Sequence, residues 1–331
     1  MKVMIMAAGI GTRLRPLTDL MPKPMAPIAN RPALYHILRL LRRHGLRQVV
    51  INLHHLPEAI TEYFRDGSAL GMEITYSFEP QLLGTAGGVK KNAAFFGGET
   101  FLVVSGDALT DVDLTGLIAA HRRNGSIATM AVKEVADPTQ YGVVVADDEG
   151  RVVAFQEKPS LEEAKSRLCN CGMYVFEPEI LAHIPEGQFD DFGRRVFPDL
   201  LRQGVPFHIY EVASYWSDVG NLREYMRGNS DALNRRVEVE LPGEEIRPGI
   251  WVEEDVEISA SARLEPPLVL GRGSVVGPGV VIEGPTAVGE GCSLGAGARV
   301  ARSVLLANVS VPAGALVIEG VLAQGPAFSC Q

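Results

Sequence analysis

Residues 1–27 read MKVMIMAAGIGTRLRPLTDLMPKPMAP, an apolar run that breaks into a glycine-containing loop. The run Lys2–Ala7 predicts a buried strand, and Gly9 and Gly11 allow the following backbone to curl closely around an anion. A dinucleotide-binding fingerprint would place a third glycine where this chain has Leu14, and the G-K-[ST] that ends a P-loop is also absent. The stretch therefore predicts the start of an α/β domain whose phosphate-binding loop is of another kind.

Two basic side chains make this loop a candidate phosphate site. Arg13 carries a planar, forked donor that matches phosphate oxygens, and Lys23 carries a compact, mobile charge. Arg15 is explained equally well as a solvated surface residue. We therefore select Arg13 and Lys23 as the phosphate-binding pair.

The bulk composition limits the classes of partner and the compartment. The chain has 331 residues, 46% of them hydrophobic, and a net charge of −9, so phosphate binding must be a local positive site on an acidic protein. No basic block indicates nucleic acid, and no apolar stretch approaches the roughly 18 residues of a membrane helix. Cys169 and Cys171 form a C-x-C without the second pair that zinc needs. We expect a cytoplasmic, reduced protein that binds neither nucleic acid nor membrane.

Residues 1–235 alternate strand-like and helix-like patterns, which predicts βαβ units, a mostly parallel sheet and a mixed or antiparallel addition from the later strands. The predicted strands are KVMIMAA, QVVINL, MEITYSF, TFLVVSGD, IATMAVKEV, GVVVAD, VVAFQE, GMYVFEP and FHIYEV. The predicted helices are Ala33–His44, Pro57–Phe64, Gly88–Phe95 and Leu114–Arg123. Ligands of such sheets bind at the carboxyl ends of the strands, so motifs that follow strands are the best site candidates.

The pattern changes at about residue 248, where aliphatic residues begin to recur at every sixth position. They are Val252, Ile258, Leu264, Leu270, Val276, Ile282, Val288, Leu294, Val300 and Leu306. A period of six is typical of a parallel β-helix, so we expect a linker at 236–248 and a β-helix at 249–331. Acyl transfer, which commonly uses a histidine base, is disfavoured because the last histidine of the chain is His208. The repeat therefore predicts a structural or assembly role and a homo-oligomer.

The loop described first resembles the signature of the sugar-1-phosphate nucleotidyltransferases. The resemblance rests on Gly9-x-Gly11-Thr12-Arg13-Leu14-x-Pro16-Leu17-Thr18 and on Pro22-Lys23-Pro24-Met25. Many members join a Rossmann-like catalytic domain to a left-handed β-helix, so the resemblance covers the whole chain and implies that fold. It also implies nucleotide contacts at Ala7, Ala8, Gly9, Gly11, Thr12, Arg13 and Lys23. The family usually reads A-G-G where this chain has Ala7-Ala8-Gly9, which affects how the base approaches.

Two aspartates match the family's metal-holding pair. Asp107 follows the buried run VVSG, and Asp218 follows YWS. A carboxylate at the end of a strand is well placed for Mg²⁺, which takes one or two carboxylates and keeps several waters. Asp111 is an alternative for one of the two ligands, whereas Asp113 is better explained as the N-cap of the next helix. The resemblance therefore implies Mg²⁺ on Asp107 and Asp218.

The stretch FQEKP resembles the family's sugar-binding motif. There the glutamate, here Glu157, binds sugar hydroxyls, and the lysine, here Lys158, binds the sugar phosphate. The chemistry agrees, since a carboxylate accepts from vicinal hydroxyls and an ammonium pairs with a phosphate. The resemblance implies further sugar-phosphate contacts at Gly142, Asn170, Gly172 and Arg194. A solvated helix face explains Arg194 nearly as well.

The loop FEPQLLGTAGG, residues 78–88, is the segment that meets the nucleobase in the family. The resemblance implies contacts at Glu79, Gly84 and Thr85. Guanine presents neighbouring donors that suit a carboxylate, whereas uracil and thymine suit an amide, so Glu79 favours guanine. The run L-G-T-A-G also resembles the mannose-1-phosphate guanylyltransferases, although uridylyl- and thymidylyltransferases share much of this loop.

These motifs predict an enzyme, a Mg²⁺-dependent sugar-1-phosphate nucleotidyltransferase, that converts GTP and mannose 1-phosphate to GDP-mannose and pyrophosphate. The alternative substrates are glucose 1-phosphate with UTP or dTTP. An alternative of another class is a non-catalytic, nucleotide-sugar-binding paralogue with a regulatory role. Such a protein should lack a metal aspartate or a phosphate-binding cation, and this chain keeps both sets.

Overall fold

The computed structural model describes residues 1–324 and the backbone of a strand at 327–329. Contacts divide the chain into two units, each discontinuous in sequence. The first unit contains Met1–Ile10, Ile37–Ala108 and Val112–Trp216. The second contains Gly11–His36, Leu109–Asp111 and the chain from Ser217 onward. Among the described residues no helix is long and apolar enough to cross a membrane.

The first unit is built on a nine-stranded mixed sheet. Its strands are Val3–Met6, Gln48–Leu53, Glu73–Phe78, Phe101–Ser105, Ala128–Glu134, Gly142–Ala146, Val152–Glu157, Leu168–Phe176 and His208–Glu211. The first four are parallel, with Val3–Met6 between Gln48–Leu53 and Phe101–Ser105. Leu168–Phe176 then runs antiparallel to Phe101–Ser105. All nine predicted strands and the mixed character of the sheet are confirmed.

The helices follow the local sequence signals with one exception. The α-helices are Leu17–Leu20, Ala33–Arg43, Pro57–Phe64, Gly84–Lys91, Ala93–Phe96, Leu114–Asn124, Phe197–Arg202 and Leu222–Leu233. Single turns and short irregular helices lie at Thr12–Leu14, Lys23–Met25, Ser68–Leu70, Pro178–His183 and Phe192–Val196. Asp113 caps Leu114–Asn124 by accepting a hydrogen bond from Gly116 N at 2.9 Å, as predicted. The predicted helix Gly88–Phe95 is wrong in its bounds, because a helix already begins at Gly84 and a second begins at Ala93.

Phenylalanine rings form much of the core of the first unit. The ring centroids of Phe96 and Phe101 are 3.9 Å apart, and those of Phe176 and Phe192 are 5.0 Å apart. All four side chains are buried. Truncating a buried aromatic ring to alanine commonly costs about 3–5 kcal/mol, so this cluster is a main source of the unit's stability.

The second unit contains a left-handed parallel β-helix of three sheets. The first sheet contains Ile250–Val252, Leu268–Leu270, Thr286–Val288, Val304–Leu305 and Gly320–Leu322, with antiparallel strands Glu244–Arg247 and Ala327–Ser329 at its two edges. The second contains Glu257–Ile258, Val275–Val276, Ser293–Leu294 and Ser310–Val311. The third contains Arg263–Glu265, Val281–Glu283, Arg299–Ala301 and Leu316–Ile318. The six-residue period therefore marks the β-helix, as predicted.

The inward positions of the β-helix stack in register from one coil to the next. Val252 pairs with Leu270 and Leu270 with Val288, three six-residue repeats further along each time. The next partner of Val288 is Leu305, which is 1% exposed and lies in the apolar core. The predicted position Leu306 is therefore wrong by one residue, because this coil is one residue shorter than the two coils before it.

Two glycines show why the turns of the repeat need small residues. A Cβ on Gly271 would lie 2.5 Å from the carbonyl carbon of Gly289, in the next coil. A Cβ on Gly277 would lie 2.7 Å from the carbonyl oxygen of Leu294. Neither neighbour is a flexible side chain, so a larger residue at either position would push the coils apart.

Candidate active site

In the second unit, the predicted phosphate-binding cations meet on one carboxylate. The Lys23 side chain is only 9% exposed, and its Nζ donates to Asp218 Oδ1 at 2.8 Å. Arg13 Nη2 lies 3.4 Å from the other oxygen, Asp218 Oδ2, and the Arg13 side chain stays 46% exposed. Two cations of one loop and a carboxylate distant in the sequence therefore form one charged cluster, in which Arg13 is the most exposed member.

Two glycines leave room for the side chains of this cluster. Gly11 has φ +69°, and a Cβ there would lie 3.0 Å from Lys23 Cβ and from Thr18 Cγ2. Thr18 Oγ1 donates to the carbonyl oxygen of Gly11 at 2.9 Å, which holds the turn. A Cβ on Gly220 would lie 2.9 Å from Asp218 Oδ2. The glycines of the motif therefore serve two purposes, a left-handed turn and close approach to the charged side chains.

Two buried alanines follow the first strand of the chain. In the first unit, Ala7 and Ala8 are 4% and 6% exposed, and the backbone N–H of Ala7 donates to Asn52 Oδ1 at 2.7 Å. Gly9 is exposed, and a Cβ there would meet no heavy atom within 4 Å. Thr12, in the second unit, is also exposed. Of these predicted nucleotide contacts, Gly9 and Thr12 are accessible, whereas Ala7 has its donor engaged.

Glu79 does not present its carboxylate to a ligand. The residue is fully buried, and its two oxygens accept hydrogen bonds from Asn52 Nδ2 at 2.8 Å and from the backbone N–H of Leu83 at 3.0 Å. With no exposed surface, the carboxylate does not reach a ligand in this conformation. This carboxylate holds the loop in place from inside, so the structure lends no support to the argument that Glu79 selects guanine.

Thr85 is likewise engaged with the protein. Its Oγ1 donates to Asp191 Oδ2 at 2.9 Å and accepts from the backbone N–H of Phe192 at 2.9 Å. Gly84 has φ +73°, and a Cβ there would collide with the carbonyl oxygen of Asp190. The same carbonyl accepts a hydrogen bond from the backbone N–H of Ala86 at 3.0 Å. The base-binding loop predicted at 78–88 is therefore clamped by the segment that contains Asp190 and Asp191.

Asp107 lies beside a bulge in the strand Leu168–Phe176. Its Oδ1 accepts a hydrogen bond from Ser105 Oγ, and a Cβ on Gly172, which has φ +69°, would lie 3.1 Å from Ser105 Cβ. Asn170 Oδ1 accepts from the backbone N–H of Gly172 at 2.9 Å, and Asn170 Nδ2 donates to the hydroxyl of Tyr174 at 2.7 Å. The amide of Asn170 thus shapes the bulge that borders Ser105, the hydrogen-bond donor to Asp107.

Glu157 is the acid among the predicted sugar contacts; the residue as a whole is exposed, and part of its carboxyl lies against protein. Burial, together with the charge of Asp191, raises the pKa of its carboxyl above the ordinary value. A Cβ on Gly193 would lie 2.5 Å from Glu157 Oε2, and one on Gly142 would lie 3.3 Å from the same oxygen. Lys158 is exposed and has φ +48°, a backbone conformation rare outside glycine. Two glycines therefore make room around one carboxylate oxygen, and the next residue is an exposed cation.

Arg194 lies in the helical turn Phe192–Val196 with its side chain exposed, and its backbone N–H donates to Asp191 Oδ1 at 3.0 Å. Asp191 and Asn52 are structural residues of the site that the sequence motifs do not indicate. Asn52 carries a visible signal, since it is a polar residue near the carboxyl end of the otherwise apolar strand QVVINL. Asp191 carries none, because its partner Thr85 lies in a distant part of the chain.

The predicted metal ligands have suitable chemistry. Both Asp107 and Asp218 offer carboxylate oxygens, the donor type that Mg²⁺ prefers, and Asp218 already attracts two cationic side chains. Within residues 1–324 no group of three or more histidine, cysteine, aspartate or glutamate side chains is arranged as a ligand set. Each of the two carboxylates therefore has the donor chemistry for a hydrated ion that takes few protein ligands.

Comparison with known families covers most of the chain. The family model described as nucleotidyl transferase matches residues 2–235, and the model described as bacterial transferase hexapeptide (six repeats) matches residues 267–302. A UTP–glucose-1-phosphate uridylyltransferase from Synechocystis sp. is 43% identical over 304 residues, which are 87% of this chain and 78% of the relative. A mannose-1-phosphate guanylyltransferase from Mycobacterium tuberculosis is 38% identical over 281 residues, 85% and 77% of the two chains.

Solved structures support the fold at lower identity. A protein from Bacillus anthracis in complex with sucrose matches with a TM-score of 0.64 and 23% identity, over 72% of this chain and 97% of that one. HddC from Yersinia pseudotuberculosis, complexed with GMP-PN, matches with a TM-score of 0.61 and 24% identity, over 70% and 99%. Together, the motifs, the folds and the family matches lead to one conclusion: the chain belongs to the nucleotidyl transferase family and carries a C-terminal region of bacterial transferase hexapeptide repeats.

Proposed function

We propose that this chain transfers a nucleoside monophosphate from a nucleoside triphosphate to a sugar 1-phosphate and releases pyrophosphate. The observation that carries the proposal is the convergence of Lys23 and Arg13 on Asp218, within the segment that resembles the signature of this enzyme class. The uridylyl- and guanylyltransferase relatives support the same class of reaction.

The reaction requires positioning and charge neutralisation more than proton transfer. An oxygen of the sugar phosphate forms a bond to the α-phosphorus, and the bond from that phosphorus to the bridging oxygen of the pyrophosphate breaks. The nucleophile is already ionised, so no general base is needed. We assign Arg13 and Lys23 to the charge on the departing pyrophosphate and Lys158 to the sugar phosphate. Losing one such contact commonly costs about 3–4 kcal/mol of transition-state stabilisation.

We assign the sugar to the surroundings of Glu157. Glu157 is exposed and its carboxylate lies against Gly142 and Gly193, so a sugar hydroxyl can approach it without displacing a side chain. The bulge at Gly172, shaped by Asn170, and the exposed Arg194 complete the proposed sugar-phosphate contacts. Of these assignments Arg194 depends most on the resemblance, because an exposed arginine is common on any helix.

We propose that Asp107 and Asp218 are the Mg²⁺ ligands. The ion, when bound, neutralises charge on the reacting phosphates. Lys23 supplies a second cation against Asp218, and Ser105 orients the carboxylate of Asp107 by donating to it. We also propose that the hexapeptide region mediates a homo-oligomer, as its regular coils with exposed faces suggest.

We propose GTP and mannose 1-phosphate as the preferred substrates, on the resemblance of L-G-T-A-G and the Mycobacterium tuberculosis relative. UTP and glucose 1-phosphate are the second candidate pair, favoured by the Synechocystis relative. The buried position of Glu79 removes the base-recognition argument for the first pair. The preference between the two substrate pairs must therefore be measured, as the initial rate of pyrophosphate release with each pair.

The test is a matrix of four nucleoside triphosphates against mannose, glucose and galactose 1-phosphates, scored by initial pyrophosphate release. The proposed reaction requires at least one pair whose rate depends on both substrates, and its nucleotide-sugar product should be identified by mass. Highest kcat/KM for GTP with mannose 1-phosphate would support the first pair. Release without a sugar phosphate, or no release with any pair, would contradict the proposal and favour the non-catalytic paralogue.

A further inference from the structure

A small hairpin in the second unit separates the phosphate-binding segment from the helix that follows. The strands Pro27–Ile28 and Arg31–Pro32 pair antiparallel. The two residues between them, Ala29 and Asn30, have φ +47° and +65°. A two-residue turn of this kind needs positive φ at both positions and favours glycine and asparagine. Because Ala29 is an unfavourable residue there, the conformation must be held by its surroundings.

Groups from elsewhere in the second unit hold the tip of this hairpin. The backbone N–H of Ala29 donates to Asn229 Oδ1 at 2.9 Å, and Asn30 Nδ2 donates to the carbonyl oxygen of Val288 at 2.8 Å. Asn229 belongs to the helix Leu222–Leu233, and Val288 is an inward residue of the β-helix. The hairpin is therefore bound on one side to a helix and on the other to the backbone of a coil.

The strongest contact between the hairpin and the β-helix is a forked ion pair. Arg31 Nη2 and Nη1 donate to Glu253 Oε2 and Oε1 at 2.9 and 3.3 Å. The side chain of Glu253 is 8% exposed and that of Arg31 is 27% exposed. Bidentate pairing fixes the orientation of both groups, and removing one partner of a buried pair leaves the other uncompensated. This pair therefore defines the position of the hairpin as well as contributing charge attraction.

The base of the hairpin is bonded to the residue that carries the catalytic charge. The backbone N–H of Ala26 donates to the carbonyl oxygen of Lys23 at 3.1 Å, and that of Ala33 donates to the carbonyl oxygen of Ala26 at 3.0 Å. Lys23 in turn places its Nζ on Asp218. A continuous set of contacts thus runs from Glu253 through the hairpin to Lys23.

We propose that Arg31 and Glu253 are positioning residues for nucleotidyl transfer, through which the β-helix sets the placement of Lys23. The inference rests on the proposed function, since it takes Lys23 to be the cation that contacts the nucleotide triphosphate. The β-helix is then part of the catalytic apparatus as well as an assembly module. Displacing the hairpin weakens the contact of Lys23 with the triphosphate and leaves sugar binding intact.

The experiment compares full-length Glu253→Gln with Glu254→Gln, a matched control whose side chain is 80% exposed. We expect Glu253→Gln to raise the KM for the nucleoside triphosphate about tenfold and leave the KM for the sugar 1-phosphate within about twofold. Glu254→Gln should change neither. Exchanging the charges, Arg31→Glu with Glu253→Arg, should recover most of the lost nucleotide affinity. Arg31→Lys, which keeps the charge and loses the fork, serves where Glu253→Gln yields no folded protein.

The possible outcomes separate this inference from the function on which it rests. A structural role alone would lower the amount of active enzyme and leave both KM values unchanged, which would overturn the inference. A rise in both KM values would do the same. The parallel variant Lys23→Ala tests the proposed function. If this variant keeps full pyrophosphate release, Lys23 does not have the role in catalysis that we propose for it. If Lys23→Ala is inactive and Glu253→Gln is normal, only the positioning role fails.

Discussion

Glu79 provides the sharpest test of how the loop at 78–88, the proposed base-binding loop, is built. Its carboxylate accepts from the backbone N–H of Leu83 and from Asn52 Nδ2, and Asn52 Oδ1 accepts from the backbone N–H of Ala7. Every donor in this buried chain of contacts faces an acceptor. The arrangement requires a double acceptor at position 79, which glutamate supplies and glutamine does not.

The substitution Glu79→Gln replaces one acceptor by an NH₂ group and leaves a conflict in any orientation. If the new oxygen accepts from Leu83, the new NH₂ faces the NH₂ of Asn52. If Asn52 turns over to relieve that clash, its own NH₂ faces the backbone N–H of Ala7. A buried donor without an acceptor costs about 1–3 kcal/mol, so we expect the free energy of unfolding to fall by that amount. Urea denaturation measures it, with exposed Glu62→Gln as the matched control, expected to change stability by less than about 0.5 kcal/mol.

A second substitution should repair the conflict. Asn52→Asp supplies an acceptor to the backbone N–H of Ala7 and another to the NH₂ introduced by Glu79→Gln. Alone, Asn52→Asp places two carboxylates in a buried site and should destabilise strongly. The double variant should therefore be more stable than either single variant, a coupling of more than about 1 kcal/mol. Additive losses, or a stable Glu79→Gln protein, would refute the network. Because the wild-type carboxylate of Glu79 is buried, replacing it should leave base preference unchanged. The ratio of the GTP rate to the UTP rate in the double variant should therefore stay within about twofold of the wild-type ratio.

Further predictions concern the charged residues and the metal. Asp107→Ala and Asp218→Ala should each abolish pyrophosphate release with the fold retained, checked by circular dichroism, and near-normal release would contradict the ligand assignment. Arg13→Ala should lower kcat/KM at least about 100-fold, whereas Arg15→Ala, whose side chain is 59% exposed, should change it less than about twofold. Chelation should stop turnover and added Mg²⁺ should restore it, which a rate titration would show. Burial raises the pKa of Glu157 above 4.5, so ionisation costs the folded state more than the unfolded chain. Wild-type stability should therefore fall relative to Glu157→Gln as the pH rises from 4.5 through the raised pKa, measured by unfolding midpoints.

The periodic parts of the chain were predictable because burial alone explains them. The nine strands and the coils up to Val300 follow from apolar patterns that no other element satisfies. The shortened coil was not predictable, since Leu305 and Leu306 are both aliphatic and either fits the pattern. Register between coils decides between them, and register is a contact between residues distant in sequence.

The helix Gly84–Lys91 shows how packing overrides local preference. Three glycines in G-T-A-G-G argue against a helix, because glycine is the weakest helix former after proline. The structure needs them for close approach: a Cβ on Gly87 would lie 2.5 Å from the carbonyl oxygen of Gln188, and one on Gly88 would lie 2.8 Å from Glu79 Oε1. A residue favourable for the isolated helix would therefore separate it from its neighbours, and only the folded unit reveals this.

The site residues could likewise be predicted where the signal lies in a local motif, and not where it depends on contacts between distant parts of the chain. Charged motifs identified Arg13, Lys23 and Asp218, which meet in the folded chain. The roles of the other polar residues were harder to predict, because a polar side chain can hydrogen-bond to the protein itself as readily as to a ligand. Glu79 and Thr85 both have their side-chain oxygens engaged by protein donors or acceptors. A sequence motif therefore marks such a position but does not show whether its side chain contacts a ligand or holds the loop in place.

This distinction bears on how the base is selected. With the side chains of Glu79 and Thr85 engaged inside the first unit, a base that binds at this loop, as we propose, should meet backbone groups and exposed side chains. The loop's path is set by the carbonyl oxygen of Asp190, which accepts from Ala86, and by the left-handed turn at Gly84. Selectivity should therefore follow the shape of the loop more than the identity of one residue.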